Sequence, residues 1–208
     1  MSFTQEDGAA LLRFVRQNIT HYLQNDRHLP FPQEFKEKFG EKYGIFVTLM
    51  KEKGSELVLR GCIGYDKPLF PLYKAISDVS ISAAVEDPRF PRVDLDELNR
   101  IRMEVSILTT PKIIDVKSPD DYLEKIKIGR DGLIVKKNVR QGLLLPQVPV
   151  EQGRNWDVKT FLEHTCLKAH LPRDAWKDPS VQILSFQAII FEETSPGGLV
   201  VETALGGR

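Results

Sequence analysis

Apolar residues in the first part of the chain recur every three or four positions. From Leu11 to Leu23 they follow the spacing of one helix face, and Thr4 and Asp7 precede them as an N-cap with an acidic partner. Pro30 ends the pattern, because proline interrupts a helix. The spacing predicts an amphipathic helix of about six turns near the start of the chain.

Strand patterns and turn signals alternate in the part that follows. Residues 43–51 and 56–63 are rich in β-forming side chains and are separated by a hairpin turn. Pro71 is well placed to begin a helix, and Asp87 before a proline is a typical helix end. Residues 100–109 then alternate apolar and polar side chains, as a half-buried strand does. The first half therefore combines helices with an antiparallel hairpin.

The second half repeats this order of patterns. Residues 132–139 and 142–145 flank a turn as a second hairpin, and Asp157 is a good N-cap for the helix that follows. Residues 181–192 predict a long closing strand. Hairpins combined with short connections to helices predict an α+β fold with a largely antiparallel sheet. The repeated order of strand, hairpin, strand, helix and strand predicts two joined subdomains.

Length and composition fit that organisation. The chain has 208 residues, of which 41% are hydrophobic and 28% charged, and this is enough to bury a sizeable core. We expect a single domain over residues 1–194 and a C-terminal tail over residues 195–208. The two halves of that domain, about 1–115 and 116–194, are expected to share one core.

Overall charge gives no general reason to expect nucleic-acid binding, since 29 basic residues balance 29 acidic ones. Residues 124–140 form a local basic stretch with six basic and two acidic side chains. A solvated hairpin face is the favoured interpretation. The alternative is nucleic-acid binding through four of these side chains: Lys127, Arg130, Lys136 and Arg140.

Neither a membrane segment nor a secretory signal is visible in the sequence. No apolar stretch approaches the roughly 20 residues that span a bilayer, and the first residues lack a basic start followed by an apolar run. Two cysteines are too few for a disulfide framework. We therefore expect a cytoplasmic protein with reduced thiols and no membrane association.

The most distinctive segment is Leu-Arg-Gly-Cys-Ile-Gly at residues 59–64, a strand that is predicted to run into a turn. Residues two apart in a strand share a face, so Arg60 would lie beside Cys62 and lower the pKa of its thiol. Gly61 and Gly64 would let the backbone approach a ligand closely. These features predict a nucleophile-bearing or anion-binding turn. The alternative is a small buried cysteine whose neighbouring glycines serve only backbone geometry.

Further polar groups stand where predicted elements end, which is where binding sites are commonly built. Asp87 and Arg89 follow the helix of the first half. Gln147 and Glu151 occupy the loop after the second hairpin, in the same relative place as the Cys62 segment in the first. If the halves are related by pseudo-symmetry, the two loops would face each other across one cleft.

A metal site and a cysteine–histidine dyad are the less favoured alternatives. On a helix, Cys166 and His170 would be four residues apart on one face, and with Cys62 they could complete a three-ligand zinc site. Cys62 could also pair with His164 or His170 as a catalytic dyad. No local zinc or dyad motif supports either arrangement. We therefore predict no metal, with Cys166 as a core residue.

An ordered series of motifs over roughly residues 5–192 resembles the AMMECR domain family. One departure concerns residue 170, because the family pattern usually continues Lys-Ala-Gly-Leu whereas this chain has His170 at the glycine. A ligand role for His170 is thus not a family property. The resemblance rests on the following motifs: Leu-Arg-Gly-Cys-Ile-Gly at 59–64, Asp-Pro-Arg-Phe at 87–90, Glu-Val-Ser-Ile-Leu-Thr at 104–109, Gly-Leu-Ile at 132–134, Leu-Leu-Leu-Pro-Gln-Val at 143–148, Glu151, Trp156, Phe-Leu at 161–162 and Cys-Leu-Lys-Ala at 166–169.

The resemblance implies an α+β fold of two intimately joined subdomains built on a barrel-like, largely antiparallel sheet flanked by helices. It carries over no established activity and names no cofactor. Microbial members of the family are associated with Memo-like proteins and radical SAM proteins, so the resemblance implies one of these as a possible protein partner. Such an association hints at a shared redox or modification pathway.

Two classes of function remain open at this point. In the first, Cys62 is the nucleophile or redox thiol of an enzyme, or enzyme component, that acts on a small anionic or nucleotide-like substrate. Arg60 would stabilise the thiolate, Arg89 would bind the substrate's anionic group, and Glu104 or Glu151 would move protons. In the second, the same cleft binds a ligand or a protein without turnover. A third, purely structural interpretation treats the segment as a turn that locks the subdomains together.

Overall fold

The structure is a computed structural model that describes residues 3–54, 56–150 and 154–203. The chain divides into two compact units. Unit 1 comprises the described residues up to Leu108 together with Ile189–Thr203, and unit 2 comprises Thr109–Ala188. The sequence, by contrast, predicts residues 189–194 in the second half of the domain and residues 195–203 in the C-terminal tail.

Unit 1 contains three helices and an antiparallel sheet. Its helices are α1 (Gln5–Asn25), α2 (Gln33–Lys38) and α3 (Leu72–Val85), and a 3₁₀ helix spans Asp96–Arg100. Its strands are β1 (Gly44–Lys53), β2 (Glu56–Tyr65), β3 (Ile101–Leu108), the last part of β7 (Gln182–Glu193) and β8 (Val200–Thr203). Strand order is β2-β1-β3, followed by β7 with β8 at its side.

Helix α1 forms as its sequence predicts. Thr4 and Asp7 make a reciprocal capping box at its N-terminus, which satisfies backbone donors that the first turn leaves open. Its apolar stripe and that of α3 are buried against one face of β1 and β3. Fully buried residues on that face include Ile45, Val47 and Met103, so alternate side chains of β1 and β3 point into this core.

Unit 2 is smaller and repeats the hairpin-and-helix plan. It contains α4 (Asp121–Lys125), α5 (Val158–Lys168) and a 3₁₀ helix at Arg173–Lys177. Its strands are β4 (Lys112–Ile113), β5 (Asp131–Lys137), β6 (Arg140–Leu144) and the first part of β7, and all their pairings are antiparallel. Helix α5 packs on β5 and β6 around a second apolar cluster.

The predicted α+β class with an antiparallel sheet and flanking helices is confirmed. Two details differ. The Gly-Cys-Ile-Gly run is not a turn, because β2 continues through Tyr65 and each of these four residues is paired with a residue of β1. Residues 200–203 belong to β8, which pairs with Ile190–Glu193 of β7. Strand β8 is not predicted from the sequence, because a segment of four residues forms a strand only when it can pair with another strand, here β7.

Candidate functional site

Three polar side chains form a row across the three-stranded part of the unit 1 sheet. On β1, Thr48 stands opposite Cys62 of β2 on one side and opposite Glu104 of β3 on the other. Directly opposed residues project from the same face of a sheet. Because the neighbours of Thr48 in β1 point into the core with α1 and α3, this polar row lies on the opposite face.

Cys62 is half-buried and accepts a hydrogen bond from the Thr48 hydroxyl, with 3.5 Å between Oγ1 and Sγ. Burial raises the pKa of the Cys62 thiol above its ordinary value. The Thr48 hydrogen bond and the positive charge of Arg89 lower that pKa, whereas the carboxylates of Glu104 and Asp87 raise it further. The expected depression of the pKa is therefore wrong, and at neutral pH the resting group is a thiol.

Arg60 does not lie beside the Cys62 sulfur. A register shift between Leu49 and Met50 leaves Arg60 as the extra residue of a β-bulge in β2. Its guanidinium is buried and donates to both carboxylate oxygens of Glu97, at 3.2 and 2.8 Å. Lys51 also pairs with Glu97. Arg60 therefore forms a buried ion pair with Glu97 in place of the expected interaction with the Cys62 thiol, and its expected contact with a ligand stays a prediction.

Asp87 and Arg89 hold the outer edge of β2 at Cys62. The Asp87 carboxylate accepts from the Cys62 backbone N–H at 2.9 Å, and Arg89 Nη2 donates to the Cys62 carbonyl at 3.2 Å. Arg89 is itself fixed by a bidentate pair to Asp87 at 2.9 and 2.7 Å. Hydrogen bonds from Arg89, partly opposed by burial, hold the pKa of Asp87 well below its usual range. The two side chains thus satisfy the backbone N–H and carbonyl of Cys62, which a neighbouring strand would otherwise do at the edge of a sheet.

The two glycines of the segment serve close packing in the structure. A Cβ on Gly61 would lie 2.1 Å from the carbonyl oxygen of Ala83 in the last turn of α3. A Cβ on Gly64 would lie 2.3 Å from the Ile45 carbonyl oxygen and 2.4 Å from the ring of Phe46. Both positions therefore exclude a side chain for steric reasons, and Gly61 approaches a helix backbone rather than a ligand.

Glu104 is the acidic end of the row. Its carboxylate accepts from the Ser106 hydroxyl at 3.3 Å, and its charge acts on the Cys62 thiol. Phe46 and Ser106 face each other on the same side of the sheet, next to the row. The face therefore combines an aromatic ring, hydroxyls, a thiol and a carboxylate within one unit.

The two other predicted site residues, Gln147 and Glu151, do not belong to the described part of unit 1. Gln147 belongs to unit 2, where its Oε1 is buried and accepts no hydrogen bond from the described residues. Glu151 lies outside the described residues. The predicted cleft between the Cys62 and Gln147 loops remains a prediction.

Sequence reasoning missed Thr48 and Glu97, which contact the two residues of greatest interest. Thr48 lies in a strand whose alternation puts it on the polar face, so strand pairing is needed to bring it to Cys62. Glu97 lies in a 3₁₀ helix with Asp94 as its local hydrogen-bond partner. In the sequence Glu97 stands among other polar residues such as Asp94, Asp96 and Asn99, so nothing local marks it as the partner of a buried arginine.

The remaining predicted features are placed as follows. Cys166 is fully buried in the unit 2 cluster, as expected for a core residue, and burial raises the pKa of its thiol to about 11. Within residues 3–54, 56–150 and 154–203, no group of three or more potential ligands could hold a metal ion. None of the helices in these ranges is long and apolar enough to cross a membrane.

Two of the four basic side chains considered for nucleic-acid binding have partners within unit 2. Arg130 pairs with Asp131 at 2.6 Å, and Arg140 donates to the His170 carbonyl at 3.1 Å. Lys136 and Lys137 stand opposite Gln141 and Arg140 in the β5–β6 hairpin. The arrangement fits the solvated hairpin face that the sequence favours.

Comparison with known proteins places this site in a family. The family model described as AMMECR1 matches residues 12–191, which include all of the polar row and its supports. The chain belongs to the AMMECR1 family. Protein MJ0810 of Methanocaldococcus jannaschii is 50% identical over 202 residues, covering 97% of this chain and 98% of that protein. Protein MK0488 of Methanopyrus kandleri is 48% identical over 203 residues, covering 97% and 96%.

A solved structure has the same fold as this AMMECR1-family chain. The crystal structure of the uncharacterised protein PH0010 from Pyrococcus horikoshii is 43% identical and has a TM-score of 0.85. The match covers 98% of this chain and 99% of that chain. The similarity extends over both units.

Proposed function

We propose that this AMMECR1-family protein binds a small ligand on the polar row of unit 1, and that the ligand carries an anionic group and N–H or O–H donors. The observation that carries the proposal is the register that aligns Cys62, Thr48 and Glu104 on one face. A half-buried carboxylate beside hydroxyl groups favours a ligand that donates hydrogen bonds. A nucleoside monophosphate combines such donors with an anion.

Arg89 supplies the positive charge at the other end of the row. Its side chain is 52% exposed, although Nε and Nη2 are held by Asp87 and the Cys62 carbonyl. Its Nη1 donates no hydrogen bond to the described residues, so this edge of the guanidinium can donate to a phosphate oxygen. The Asp87 pair keeps the guanidinium in place before the ligand arrives, which reduces the entropy lost on binding.

Phe46 adds an aromatic surface next to the same row. Its ring lies over Gly64 and is half-buried on the face that carries Thr48. Aromatic rings are the usual stacking surface for nucleobases. An adenine placed against Phe46 could donate its amino group to Glu104, which makes AMP a suitable first probe.

The test is a titration of the full chain with AMP, followed by amide chemical shifts and by thermal unfolding. We expect a saturable shift centred on β1–β3 and a rise in the unfolding temperature. Glu104→Gln and Arg89→Lys should each weaken AMP binding by about tenfold. The first removes the charged acceptor, and the second loses the planar guanidinium that can bind Asp87 and a phosphate oxygen at the same time. Adenosine and inorganic phosphate, each with half of the recognition elements, should bind more weakly than AMP.

Lys159→Gln on α5 is the matched control, because it removes a positive charge from unit 2 and should leave AMP binding unchanged. The proposal fails if nucleoside monophosphates cause no shift in β1–β3 at millimolar concentration. It also fails if Glu104→Gln and Arg89→Lys bind AMP as tightly as the original chain.

A second candidate function is a cysteine-dependent reaction on the same ligand. The observation in its favour is that Thr48 and Glu104 stand in line with the Cys62 sulfur, although the resting thiol is protonated. In this reaction the Cys62 sulfur bonds to an electrophilic carbon of the ligand while the thiol proton passes to Glu104. The leaving group departs with that proton, which restores the Glu104 carboxylate. Water then attacks the same carbon and breaks its bond to the Cys62 sulfur, so that the hydroxyl group stays on the product and the remaining water proton restores the thiol.

Replacement of Cys62 by serine separates the two functions. Binding without turnover predicts that Cys62→Ser retains AMP affinity within about twofold, since a hydroxyl replaces a thiol of similar size. A cysteine-dependent reaction predicts that turnover of a true substrate is lost while binding remains. The involvement of a Memo-like or radical SAM protein as partner stays a prediction of the family resemblance.

A further inference from the structure

Unit 2 contains a cavity that shares no residue with the polar row of unit 1. Its volume is about 430 Å³, within the roughly 300–1,000 Å³ that small-molecule pockets occupy. One wall is the extended segment that follows β4, and the other is formed by the end of the second 3₁₀ helix and the start of β7. Both walls therefore belong to one compact unit.

Trp176 lines this cavity and carries an unsatisfied donor. Its side chain is almost completely buried, with 3% relative exposure, and its indole Nε1 has no hydrogen-bond acceptor among the residues that the structure describes. A buried N–H without an acceptor is unfavourable, because it has lost its hydrogen bonds to water and gained none in the protein. An acceptor oxygen delivered by a ligand would recover that cost.

The position of Trp176 is fixed by its surroundings. Its backbone N–H donates towards the sulfur of the fully buried Cys166, and its ring packs in the unit 2 cluster. The indole N–H therefore belongs to a rigid part of the unit. A rigid donor binds an acceptor with little loss of side-chain entropy.

The walls of the cavity are mixed in character. Tyr122, Val181 and Ile183 supply buried apolar surface, which suits a flat apolar ligand body. Lys117 and Lys177 supply positive charge, and Asp115 and Asp178 supply negative charge. Asp178 already pairs with Lys137 at 2.7 Å and accepts from Ser180. Because Asp178 is already paired, the two lysines outweigh the remaining carboxylate of Asp115. The cavity therefore favours a ligand whose acceptor group is neutral or carries one negative charge.

We propose that this cavity binds a small molecule with a flat apolar body and a carbonyl-type oxygen, which accepts a hydrogen bond from the Trp176 indole. The oxygen belongs to a carboxylate or to an amide, and both present the same acceptor to the indole. The site is independent of ligand binding at the polar row. It adds a second ligand site, in unit 2, to the one proposed for unit 1.

The test uses the indole N–H resonances of the full chain, which contains two tryptophans, Trp156 and Trp176. Three probes are titrated: 2-naphthoate, 2-naphthamide and 2-methylnaphthalene, which lacks an acceptor. We expect naphthoate, naphthamide or both to shift the Trp176 indole resonance saturably, with binding at least about tenfold tighter than that of 2-methylnaphthalene. A shift by naphthoate alone identifies a carboxylate ligand, and a shift by both identifies a general carbonyl acceptor.

Two tryptophan variants assign the donor. Trp176→Phe keeps an aromatic ring without the N–H and should weaken naphthoate binding by about tenfold. Trp156→Phe is the matched control, because Trp156 stacks on His164 at 4.1 Å and does not line the cavity. Binding to Trp156→Phe should be unchanged.

The proposal is overturned if none of the three probes moves the Trp176 resonance. It is also overturned if 2-methylnaphthalene binds as tightly as the two acceptor probes, or if Trp176→Phe folds and binds them with unchanged affinity. The titration of the original chain decides the question alone if Trp176→Phe does not fold.

Discussion

The two hairpins of this protein use the same packing device for different ends. In unit 1, Gly61 of β2 lies against the Ala83 carbonyl in the last turn of α3. In unit 2, Gly142 of β6 lies against the end of α5, where a Cβ would be 2.3 Å from the Ala169 nitrogen. In both units the second strand of a hairpin touches the C-terminal end of the following helix, which only a glycine allows.

The residues on either side of these glycines differ in character. Arg60 and Cys62 flank Gly61, whereas Gln141 and Leu143 flank Gly142. Leu143 therefore occupies the position that corresponds to Cys62, so Gln147 lies four residues farther along than the sequence comparison assumed. Packing requires the glycine in both units, but it does not require the ion pairs and the thiol of unit 1. That difference is the reason to look for chemistry at Cys62.

The largest effect is expected from the buried charge under the unit 1 hairpin. Glu97→Gln leaves the buried Arg60 guanidinium without a counter-charge and should lower the free energy of unfolding by about 3 kcal/mol. Gln141→Ala changes the residue that corresponds to Arg60 in unit 2 and should cost less than about 0.5 kcal/mol. Urea unfolding followed by circular dichroism measures both. If both variants lost the same free energy of unfolding, the buried ion pair would not distinguish the unit 1 hairpin from the unit 2 hairpin.

The same variant should alter the acid sensitivity of the protein. Hydrogen bonds from Arg60, partly opposed by burial, lower the pKa of Glu97 to about 2. Since the folded-state pKa lies below the unfolded value of about 4.3, the stabilisation is complete above that value and is lost as the pH falls towards about 2. Unfolding measured from pH 5 to pH 2 should therefore be less steep for Glu97→Gln. An unchanged slope would contradict the ionised pair.

Alanine at the two glycines tests what the hairpins share. Gly61→Ala and Gly142→Ala should each cost about 2–3 kcal/mol, because the new Cβ meets backbone atoms that do not move freely. Gly54→Ala is the control, since a Cβ there meets nothing within 4 Å and only the φ of 64° opposes it. A large loss for one hairpin glycine and none for the other would refute the common device.

Alkylation of Cys62 by iodoacetamide tests the charges around the thiol. Glu104→Gln removes a carboxylate that raises the thiol pKa, so alkylation at pH 7.5 should become about threefold faster. Thr48→Val removes a hydrogen bond that lowers the pKa, and alkylation should become slower. Cys166, with its pKa raised to about 11, serves as the internal reference and should remain nearly unreactive in the folded chain. If Glu104→Gln left the alkylation rate of Cys62 unchanged, the Glu104 carboxylate would not act on the thiol.

The smallest effect is expected at the end of α5. His170 has a φ of 56° and occupies the left-handed position of a Schellman motif, in which Leu171 N–H donates to the Cys166 carbonyl. Glycine adopts this conformation without strain, so His170→Gly should raise the free energy of unfolding by about 1 kcal/mol. Thermal and urea unfolding measure the gain. A loss of stability would show that the imidazole makes a contact that matters more than backbone strain.

Local signals predicted much of the fold correctly. The capping box at Thr4, the stripe of α1 and the alternation of β3 each depend on residues close in sequence, so they predict elements without reference to the rest of the chain. Turn signals failed at residues 61–64, where two glycines resembled a turn but instead permit close packing within a strand. Glycine reports a need for space or for a special φ, and the sequence does not say which.

The sequence by itself determined the α+β class, the order of the elements and the segment that carries Cys62. Tertiary structure decided the neighbours of that segment, because strand register brings Thr48 and Glu104 to the sulfur across a sheet. It also turned Arg60 away to Glu97 through a bulge, and burial of the Cys62 thiol raises its pKa where the sequence predicted a lowered one. The burial of a side chain and the identity of its partners depend on how the whole chain packs. The alternation of apolar and polar residues along one strand predicts neither of them.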